Sequence, residues 1–300
     1  MLRPYEQKKQ NPSFNNSSQR WKLVAELGKG TYGRVDSFMN DQGDLVAVKS
    51  SGYKKEIRKE IKYLRKLTDC PNIIHYYDHV LHIDDICDSV MMELGKGNLF
   101  DHIRQIPLGD AEIRRFFLQV LNGLEFMHSK NIVHLDLKSG NIIIGKDNRL
   151  KLADFGLSQE YCNEKTKKVN RMKGAIGTYQ ICPPEAFTRE IYDGKKSDIW
   201  ALGVLLLEMR NQRYLWARPE AQDAGFTAYL LRKNVLQNSL EECSSYVLNM
   251  KFRNRPKVED IKNYAWLKYP SKIQPKSRCN TYITHQFLPP TTRIPNLRCI

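Results

Sequence analysis

The chain has 300 residues, 41% of them hydrophobic, so it can bury a large core in one or two domains. Its 48 Lys and Arg outnumber its 33 Asp and Glu, and the charge of +15 favours phosphates, nucleic acid or acidic protein surfaces without choosing among them. No run approaches the roughly 18 consecutive apolar residues of a membrane span, and the N-terminal residues lack the apolar block of a signal peptide. We therefore expect no membrane segment and no secretion.

The basic charge is accompanied by no recognition motif of interleaved aromatic and basic residues. We interpret it as a solvated basic surface and predict no dedicated nucleic-acid site, although binding through the basic ends of the chain could coexist with another activity. The sequence gives no indication of the oligomeric state.

The seven cysteines form no CxxC pair and have no histidine at metal-binding spacing. We expect them to be reduced thiols, which predicts an intracellular protein of the cytoplasm, the nucleus or both. The cysteines are Cys70, Cys87, Cys162, Cys182, Cys243, Cys279 and Cys299.

The N-terminal third predicts a small β-rich lobe. Residues 1–20 are polar and basic without an apolar period, so we expect a flexible arm there. From Trp21 onward, the short runs WKLVAELG, GRVDSFMN and DLVAVKS are separated by glycines and predict an antiparallel meander. KKEIRKEIKYLRKL has its apolar residues at helical spacing and predicts one main helix. PNIIHYYDHVLH and DSVMMEL add two strands, which brings this lobe to about residues 21–93.

The remainder, from about residue 97, is dominated by helical periods. AEIRRFFLQVLNGLEFMHSK has one apolar face, whereas KKSDIWALGVLLLEMR is apolar almost all round, which predicts a helix in the centre of this lobe. From Lys268 to Ile300 there are five prolines and no Asp or Glu, so we expect an irregular basic tail over 271–300. The predicted fold is α+β and bilobal, with a larger helical lobe over about 97–270.

Gly28, Gly30 and Gly33 in GKGTYG form a G-x-G-x-x-G array, where missing side chains let backbone N–H groups approach a polyphosphate. The array alone is a weak signal, because a glycine-rich hairpin turn without a ligand and a dinucleotide-binding turn have the same pattern. A dinucleotide-binding turn needs a helix directly after it. Here RVDSFM reads as a strand, which favours a phosphate-binding hairpin.

Lys49 ends VAVK, an apolar strand with a single cation. A buried ammonium needs an anionic partner to offset its desolvation, either a phosphate or a carboxylate. Two glutamates on the predicted helix could supply the carboxylate. Glu60 is preferred over Glu56, because it keeps the expected distance to the strand that follows the helix.

The loop HLDLKSGN carries several polar groups between two short β-type runs. Asp136 is suited to accept a hydroxyl proton, and Lys138 can stabilise a transferring phosphoryl group. Asn141, with Asp154 of DFG thirteen positions later, offers oxygen atoms to a divalent cation such as Mg²⁺. Each residue by itself could cap a turn, but four of them in this order behind the glycine array and Lys49 make coincidence a poor explanation.

Taken together, these motifs resemble the eukaryotic protein kinase family over about 250 residues, from Trp21 to Pro270. The likeness rests on the glycine array at 28–33, VAVK at 46–49, HLDLKSGN at 134–141, DFG at 154–156, PPE at 183–185, DIWALG at 198–203 and Arg255 in RNRP. The resemblance implies a bilobal protein kinase fold, ATP and Mg²⁺ as cofactors, and protein substrates.

The resemblance also implies roles for individual residues. Lys49 would contact the α- and β-phosphates and pair with Glu60, and Asp136 would be the catalytic base. Asn141 and Asp154 would hold Mg²⁺.

Two further likenesses concern the large lobe. Glu185 would form a structural ion pair with Arg255. Lys138 together with Thr178 resembles the serine/threonine branch of the family, in which the threonine contacts the catalytic loop.

An adenine slot is implied by the same likeness, between Leu27, Val35 and Ala47 above and Ile143 and Ala153 below. Met92 would be the gatekeeper, and Glu93 to Gly95 the hinge. Each apolar member could equally be a simple core residue. The complete ATP-binding set implied is Leu27, Gly28, Lys29, Gly30, Thr31, Tyr32, Gly33, Val35, Ala47, Lys49, Glu60, Met92, Glu93, Gly95 and Ile143.

The sequence departs from the family pattern at Leu135, where the family usually has the arginine that receives an activation-segment phosphate. We therefore hypothesise that activity does not require phosphorylation between Asp154 and Glu185. The interval from Lys49 to Glu60 is short, and Pro183 replaces an alanine. A pseudokinase that binds nucleotide or partners without turnover is the alternative, but no member of the catalytic set is missing.

Overall fold

The structure is a computed structural model that describes residues 20–30, 33–81, 87–188, 190–232 and 239–268. The predicted tail at 271–300 and all of the predicted arm except Arg20 lie outside the described residues, as do Thr31 and Tyr32 of the glycine array. The bilobal α+β prediction is confirmed, since a β-sheet lobe precedes a helical lobe.

The small lobe is built on a five-stranded antiparallel sheet. Its strands are β1 Trp21–Gly30, β2 Gly33–Asn40, β3 Leu45–Ser51, β4 Tyr76–Val80 and β5 Asp88–Glu93, in the spatial order β1-β2-β3-β5-β4. The first three form the predicted meander. Lys49 of β3 lies opposite Val35 on β2 and Val90 on β5, so this lysine occupies the middle of the sheet.

The helix of this lobe, α1, spans Lys54–Leu67 and packs on β3, β4 and β5. Its apolar residues recur at helical spacing, and Ile57, Ile61, Leu64 and Leu67 are buried as predicted. Glu60 is buried on the same helix, only 2% exposed. Because an isolated buried carboxylate is costly, its burial requires a cation nearby.

The large lobe contains seven helices among the described residues. They are α2 Leu99–Gln105, α3 Asp110–Ser129, α4 Gly194–Asn211, α5 Ala224–Arg232, α6 Ser239–Val247, α7 Val258–Lys262 and α8 Ala265–Lys268. This lobe also contains three small sheets. One is formed by the strands β6 Gly97–Asn98, β8 Ile142–Ile144 and β9 Leu150–Leu152. The other two are strand pairs: β7 Ile132–Val133 with β10 Gln159–Glu160, and β11 Arg171–Lys173 with β12 Ile191–Asp193. None of the helices within the described ranges is long and apolar enough to cross a membrane.

The central helix predicted from KKSDIWALGVLLLEMR is α4, which is buried from Ser197 to Met209. Trp200 is fully buried on it and lies 4.9 Å from the guanidinium carbon of Arg255. Arg255 donates two hydrogen bonds to the carboxylate of Glu185, at 2.6 and 2.7 Å. The structural ion pair implied by the resemblance is present, and it joins the segment before β12 to the C-terminal helices.

Backbone hydrogen bonds join the two lobes behind the cleft. The N–H of Leu152 donates to the carbonyl of Asn72, and the N–H of Ile74 donates to the carbonyl of Leu152, both at 2.9 Å. On the other side, the N–H of Lys96 donates to the carbonyl of Ile144 at 2.7 Å. The small sheet is therefore fixed above β8 and β9, and the loops after β7 and β9 open into the cleft.

Candidate active site

The glycine array lies where β1 turns into β2. Gly30 pairs with Gly33 across this hairpin, and a strand follows, as the sequence predicted. Gly33 has φ +150°, and a Cβ on it would lie 2.3 Å from the carbonyl oxygen of Ser50. Only glycine fits there. The turn residues Thr31 and Tyr32 lie outside the described residues, whereas Gly28 and Lys29 are in β1.

Lys49 reaches from β3 to two carboxylates. Its Nζ lies 2.7 Å from Oε2 of Glu60 and 2.9 Å from Oδ1 of Asp154. Glu60, not Glu56, is thus the partner on α1. Burial by itself lowers the pKa of the Lys49 ammonium, but the two carboxylates outweigh burial and raise the pKa above its ordinary value. The lysine is held charged at the point where the lobes meet.

The two carboxylates respond differently to the same cation. Burial raises the pKa of Glu60, and Lys49 offsets only part of that rise. Burial also pushes the pKa of Asp154 upward, but Lys49 outweighs it, and the pKa falls below its usual value. Asp154 stays an anion with a side chain that is 44% exposed, so it can meet a ligand in the cleft.

Asp154 has a left-handed backbone, with φ +60°. This conformation is uncommon for a residue other than glycine and is tolerated best by Asp and Asn. It is fixed by its neighbours: Phe155 is fully buried, and its ring centroid lies 5.5 Å from that of His134. In this conformation the Asp154 carboxylate lies within hydrogen-bonding distance of Lys49.

Asp136 lies in the loop between β7 and β8 and is 7% exposed. The N–H of Thr178 donates to its Oδ1 at 2.9 Å, and the amide of Asn141 donates to its Oδ2 at 3.0 Å. Lys138 Nζ lies 3.1 Å from the same Oδ2. Three donors thus orient one carboxylate, which is what a positioned proton acceptor needs.

Lys138 also donates a hydrogen bond to Oγ1 of Thr178 at 2.8 Å. The lysine and the threonine implied by the serine/threonine resemblance are therefore in contact. Gly177, directly before the threonine, has φ +82°, and a Cβ there would lie 2.6 Å from Oδ1 of Asp136. The segment around Thr178 approaches Asp136 so closely that only glycine fits.

Asn141 and Asp154 are the candidate metal ligands. Because the Asn141 amide nitrogen donates to the backbone carbonyl and the carboxylate of Asp136, its side-chain oxygen is left as an acceptor. One amide oxygen and one carboxylate oxygen suit a hard cation such as Mg²⁺, which takes its other ligands from phosphate and water. Among the described residues, no group of three or more His, Cys, Asp or Glu is arranged to hold a metal ion.

The implied adenine slot is partly formed by side chains from both lobes. Ala47 and Met92 are each 8% exposed, whereas Leu27 at the mouth is 47% exposed. Val35, Ile143 and Ala153 are half-buried. At the hinge, a Cβ on Gly95 would lie 2.2 Å from Cγ2 of Ile143, so the chain passes too close to β8 for any side chain.

Glu93 of the hinge has a partner that sequence reasoning did not name. Its carboxylate lies 2.8 Å from Nζ of Lys151 on β9, and it accepts a hydrogen bond from the N–H of His75 at 2.9 Å. Lys151 is 8% exposed. A lone lysine in the short apolar run LKL is the signal that could have suggested a buried ion pair.

Two carboxylates of α4 hold the loop at 134–141, and sequence reasoning gave neither a role. Asp198 is fully buried and accepts hydrogen bonds from the N–H groups of His134 and Leu135, both at 2.9 Å. Glu208 accepts one from Ser139 at 2.8 Å, and burial raises its pKa. A charged residue inside an otherwise apolar helix was the available signal, since buried carboxylates need donors.

Leu135 replaces the usual arginine and is 5% exposed. It belongs to a buried apolar cluster with Val133, Met172, Cys182, Ala186 and Tyr192. Met172 lies on β11, within the segment that follows DFG, and Tyr192 lies on β12. An apolar contact thus occupies the place where the family pattern has a charge.

Comparison with protein families finds a match to the protein kinase domain over residues 21–267. A mouse protein named sperm motility kinase W is 32% identical over 267 residues, which cover 86% of this chain and 52% of that protein. The carbon catabolite-derepressing protein kinase of Saccharomyces cerevisiae is 33% identical over 203 residues, covering 64% and 31%. The serine/threonine-protein kinase pak-1 of Caenorhabditis elegans is 32% identical over 202 residues, covering 66% and 34%. The chain spans about half or less of the length of these relatives.

Proposed function

Since the chain belongs to the protein kinase domain family, we propose that it transfers the γ-phosphoryl group of ATP to serine and threonine hydroxyls of protein substrates. The observation that carries the proposal is the setting of Asp136, whose carboxylate is oriented by Thr178, Asn141 and Lys138 within 3.1 Å. Two of the relatives support it: one is named as a protein kinase and the other as a serine/threonine-protein kinase, and they align with this chain at 32–33% identity over about 200 residues.

Asp136 accepts the proton of the attacking hydroxyl. The O–H bond of the substrate breaks as its oxygen bonds to the γ-phosphorus, and the proton passes to the carboxylate. The bond between the γ-phosphorus and the β,γ-bridging oxygen breaks at the same time, and ADP is the leaving group. The fixed orientation of the carboxylate lowers the entropic cost of aligning the hydroxyl. Lys138 places a positive charge beside the transferring group, where negative charge is spread over the phosphoryl oxygens.

Lys49 binds the α- and β-phosphates. Its charge is maintained by Glu60 from the small lobe and Asp154 from the large lobe. The backbone N–H groups of the glycine array would donate to the phosphates. The adenine would be enclosed by Leu27, Val35, Ala47, Met92 and Ile143, and the hinge from Glu93 to Gly95 would border it.

Asn141 and Asp154 would hold Mg²⁺, which in this family neutralises charge on the β- and γ-phosphates. Their oxygen atoms fit that ion, and the lowered pKa of Asp154 keeps its carboxylate ionised at neutral pH. Every residue of the catalytic set is present, so the set does not favour the alternative in which the chain binds nucleotide without turnover.

The domain limits and the cellular location are further parts of the proposal. A kinase domain over 21–270, with a polar arm at 1–20 and a basic tail at 271–300, stays a prediction. An intracellular site, cytoplasmic or nuclear, is supported by the five described cysteines, all of which are free thiols. A dedicated nucleic-acid site is not part of the proposal.

The test is a transfer assay with the purified full chain, radiolabelled ATP, Mg²⁺ and a panel of acidic and basic proteins. The wild type should label Ser or Thr residues, whereas Lys49→Met and Asp136→Asn should not. Labelling that is equal in all three proteins, or label found on tyrosine alone, would contradict the proposal.

A further inference from the structure

The segment between DFG and PPE carries a row of lysines that the proposed transfer chemistry does not use. Lys165, Lys167 and Lys168, called here the hairpin lysines, are exposed, and Lys173 on β11 continues the row. Among the described residues none of these four ammonium groups has an ion-pair partner, whereas Arg171 pairs with Asp193 at 2.9 Å. Their charge is therefore available to an outside ligand.

The hairpin that carries them is closed by backbone hydrogen bonds. The N–H of Asn163 donates to the carbonyl of Lys168, and the N–H of Lys167 donates to the carbonyl of Asn163, at 2.9 and 2.8 Å. The Asn163 side chain accepts from the N–H groups of Lys165 and Thr166, at 3.0 and 2.9 Å. The lysines thus project from an ordered turn, which reduces the entropy lost when a ligand binds.

Asn131, two residues after α3, anchors the hairpin to the large lobe. Its amide donates to the carbonyl of Cys162 at 2.7 Å and accepts from the Cys162 N–H at 2.9 Å. Its own carbonyl accepts from the N–H of Tyr161 at 2.8 Å. The anchor fixes where the cations lie relative to the catalytic loop.

Lys173, at the C-terminal end of the row, is close along the chain to the candidate site for the acceptor hydroxyl. Lys173 is four residues before Gly177, so the extended chain allows at most about 14 Å between their Cα atoms. Gly177 touches Asp136, and Thr178 beside it bonds to both Asp136 and Lys138. A substrate with its hydroxyl at Asp136 must therefore extend close to this segment.

Most acidic residues near the hairpin form ion pairs with cations outside this row of lysines. Glu160 pairs with Lys62 of α1 at 2.7 Å, and Glu164 pairs with Lys66 at 3.6 Å. Glu190, directly before β12, has no ion-pair partner among the described residues, and it offsets at most one of the four lysine charges. The surface of the hairpin and β11 is therefore net positive, which favours anionic side chains.

We propose that this chain selects protein substrates whose phosphorylated residue is flanked by acidic side chains, carboxylates or phosphates, and that the hairpin lysines with Lys173 recognise them. The inference rests on the proposed kinase activity and adds a substrate class to it. A single exposed ion pair contributes little to binding, but several lysines together can attract the acidic side chains of one substrate segment.

The test uses the full chain and synthetic peptides with one serine in a neutral sequence, an acidic one rich in Asp and Glu, one with flanking phosphoserines, and a basic one. We expect kcat/KM to be about tenfold or more higher for the acidic or phosphoserine peptide than for the neutral one, and the preference to shrink at about 0.5 M salt. A gain with phosphoserine alone would identify phosphate as the preferred anion.

The decisive variants change the hairpin lysines together. Their replacement by Ala should lower the ratio of acidic to neutral kcat/KM about fivefold, and replacement by Glu should shift the preference to the basic peptide. A matched control removes the same charge from exposed lysines elsewhere and should keep the ratio: Lys55→Ala, Lys146→Ala and Lys251→Ala. If the control changes the ratio equally, the effect is one of net charge, and the proposal is wrong.

Three other outcomes would contradict the inference. Equal transfer to acidic, neutral and basic peptides overturns the acidic-substrate inference and leaves the kinase activity intact. Absence of transfer to every peptide overturns the kinase proposal and this inference with it. If there is no acidic preference and a DNA or RNA duplex binds the wild type but not the Ala variant, the lysines serve nucleic acid instead.

Discussion

Lys49 Nζ lies 2.9 Å from Oδ1 of Asp154, which joins two residues that are 105 positions apart and belong to different lobes. The same ammonium lies 2.7 Å from Glu60, so one cation connects the helix of the small lobe to the DFG segment of the large lobe. The orientation of α1 and the position of the metal-binding candidate are thereby coupled. A change at either carboxylate should alter the position of the Lys49 ammonium and thereby its contact with a bound phosphate.

Replacing Glu60 with Gln should therefore impair ATP use without deleting the side chain. Hydrogen bonds to charged groups contribute roughly 1.5–3 kcal/mol, so kcat/KM for ATP should fall about ten- to a hundredfold. Steady-state kinetics at varied ATP measure this fall. Glu56→Gln, one turn earlier on α1, is the matched control and should have little effect; an equal loss in both variants would count against the role of Glu60.

The contact of Thr178 with Lys138 predicts different results at two threonines of the same segment. Thr178→Ala removes the hydroxyl that accepts from Lys138, so kcat should fall about tenfold or more, and Thr178→Ser should restore most of it. Thr166 lies at the exposed tip of the hairpin, and Thr166→Ala should keep activity within about twofold. A near-total loss at Thr166 that an acidic substitute recovers would instead show that activity depends on phosphorylation there.

Leu135→Arg should destabilise the fold even though it restores the usual family residue. The leucine is 5% exposed in an apolar cluster, where an unpaired guanidinium would be desolvated. We expect the free energy of unfolding to fall by about 2–4 kcal/mol in urea denaturation. Leu135→Met, which keeps the volume and polarity, should cost about 1 kcal/mol or less. A stable arginine variant would mean that the cluster opens to solvent.

The buried pair of Arg255 and Glu185 predicts a large stability effect that activity assays alone would miss. Arg255→Met leaves the Glu185 carboxylate without its bidentate partner, which should cost about 3–5 kcal/mol of folding free energy. Arg253→Met, at an exposed arginine two positions earlier, should be nearly neutral. Urea unfolding followed by circular dichroism compares the two. Similar midpoints for both variants would disprove the structural role.

Two glycines with left-handed backbones allow the effect of backbone strain to be distinguished from that of a steric clash. The Cβ added by Gly174→Ala would have no atom within 4 Å, so the variant should lose only the strain energy of φ +72°, about 1–2 kcal/mol of stability. Gly177→Ala places a Cβ 2.6 Å from Asp136 Oδ1, so it should also lower kcat, by about tenfold or more. Kinetics and unfolding of both variants test this; an equal fall in kcat would place the effect in the backbone strain.

Much of the fold could be predicted from local patterns. The meander, α1 and the central helix α4 follow from hydrophobic periods of two or 3.6 residues, which depend only on near neighbours. Gly33 was singled out as a member of the glycine array, and Lys49 as the single cation of an apolar strand. The motif order then indicated the family, and the match over residues 21–267 agrees with it.

The roles of the site residues stay predictions, but their mutual distances could only come from the fold. Sequence spacing favoured Glu60 over Glu56 without giving a distance, and it did not indicate that Lys49 also contacts Asp154. It gave no role to Asp198, whose carboxylate accepts the backbone N–H groups of His134 and Leu135 from a helix more than 60 positions away.

The residues themselves determined which chemistry this chain can carry: a glycine turn, a lysine in an apolar strand and a set of carboxylate and amide oxygens. The tertiary structure decided which of these groups meet, and it placed Leu135 in an apolar cluster and the hairpin lysines on an ordered turn. The physical reason is range, because periodicity and backbone preference act over a few residues. Ion pairs and buried contacts depend on how distant segments pack, and one sequence position does not encode its partner.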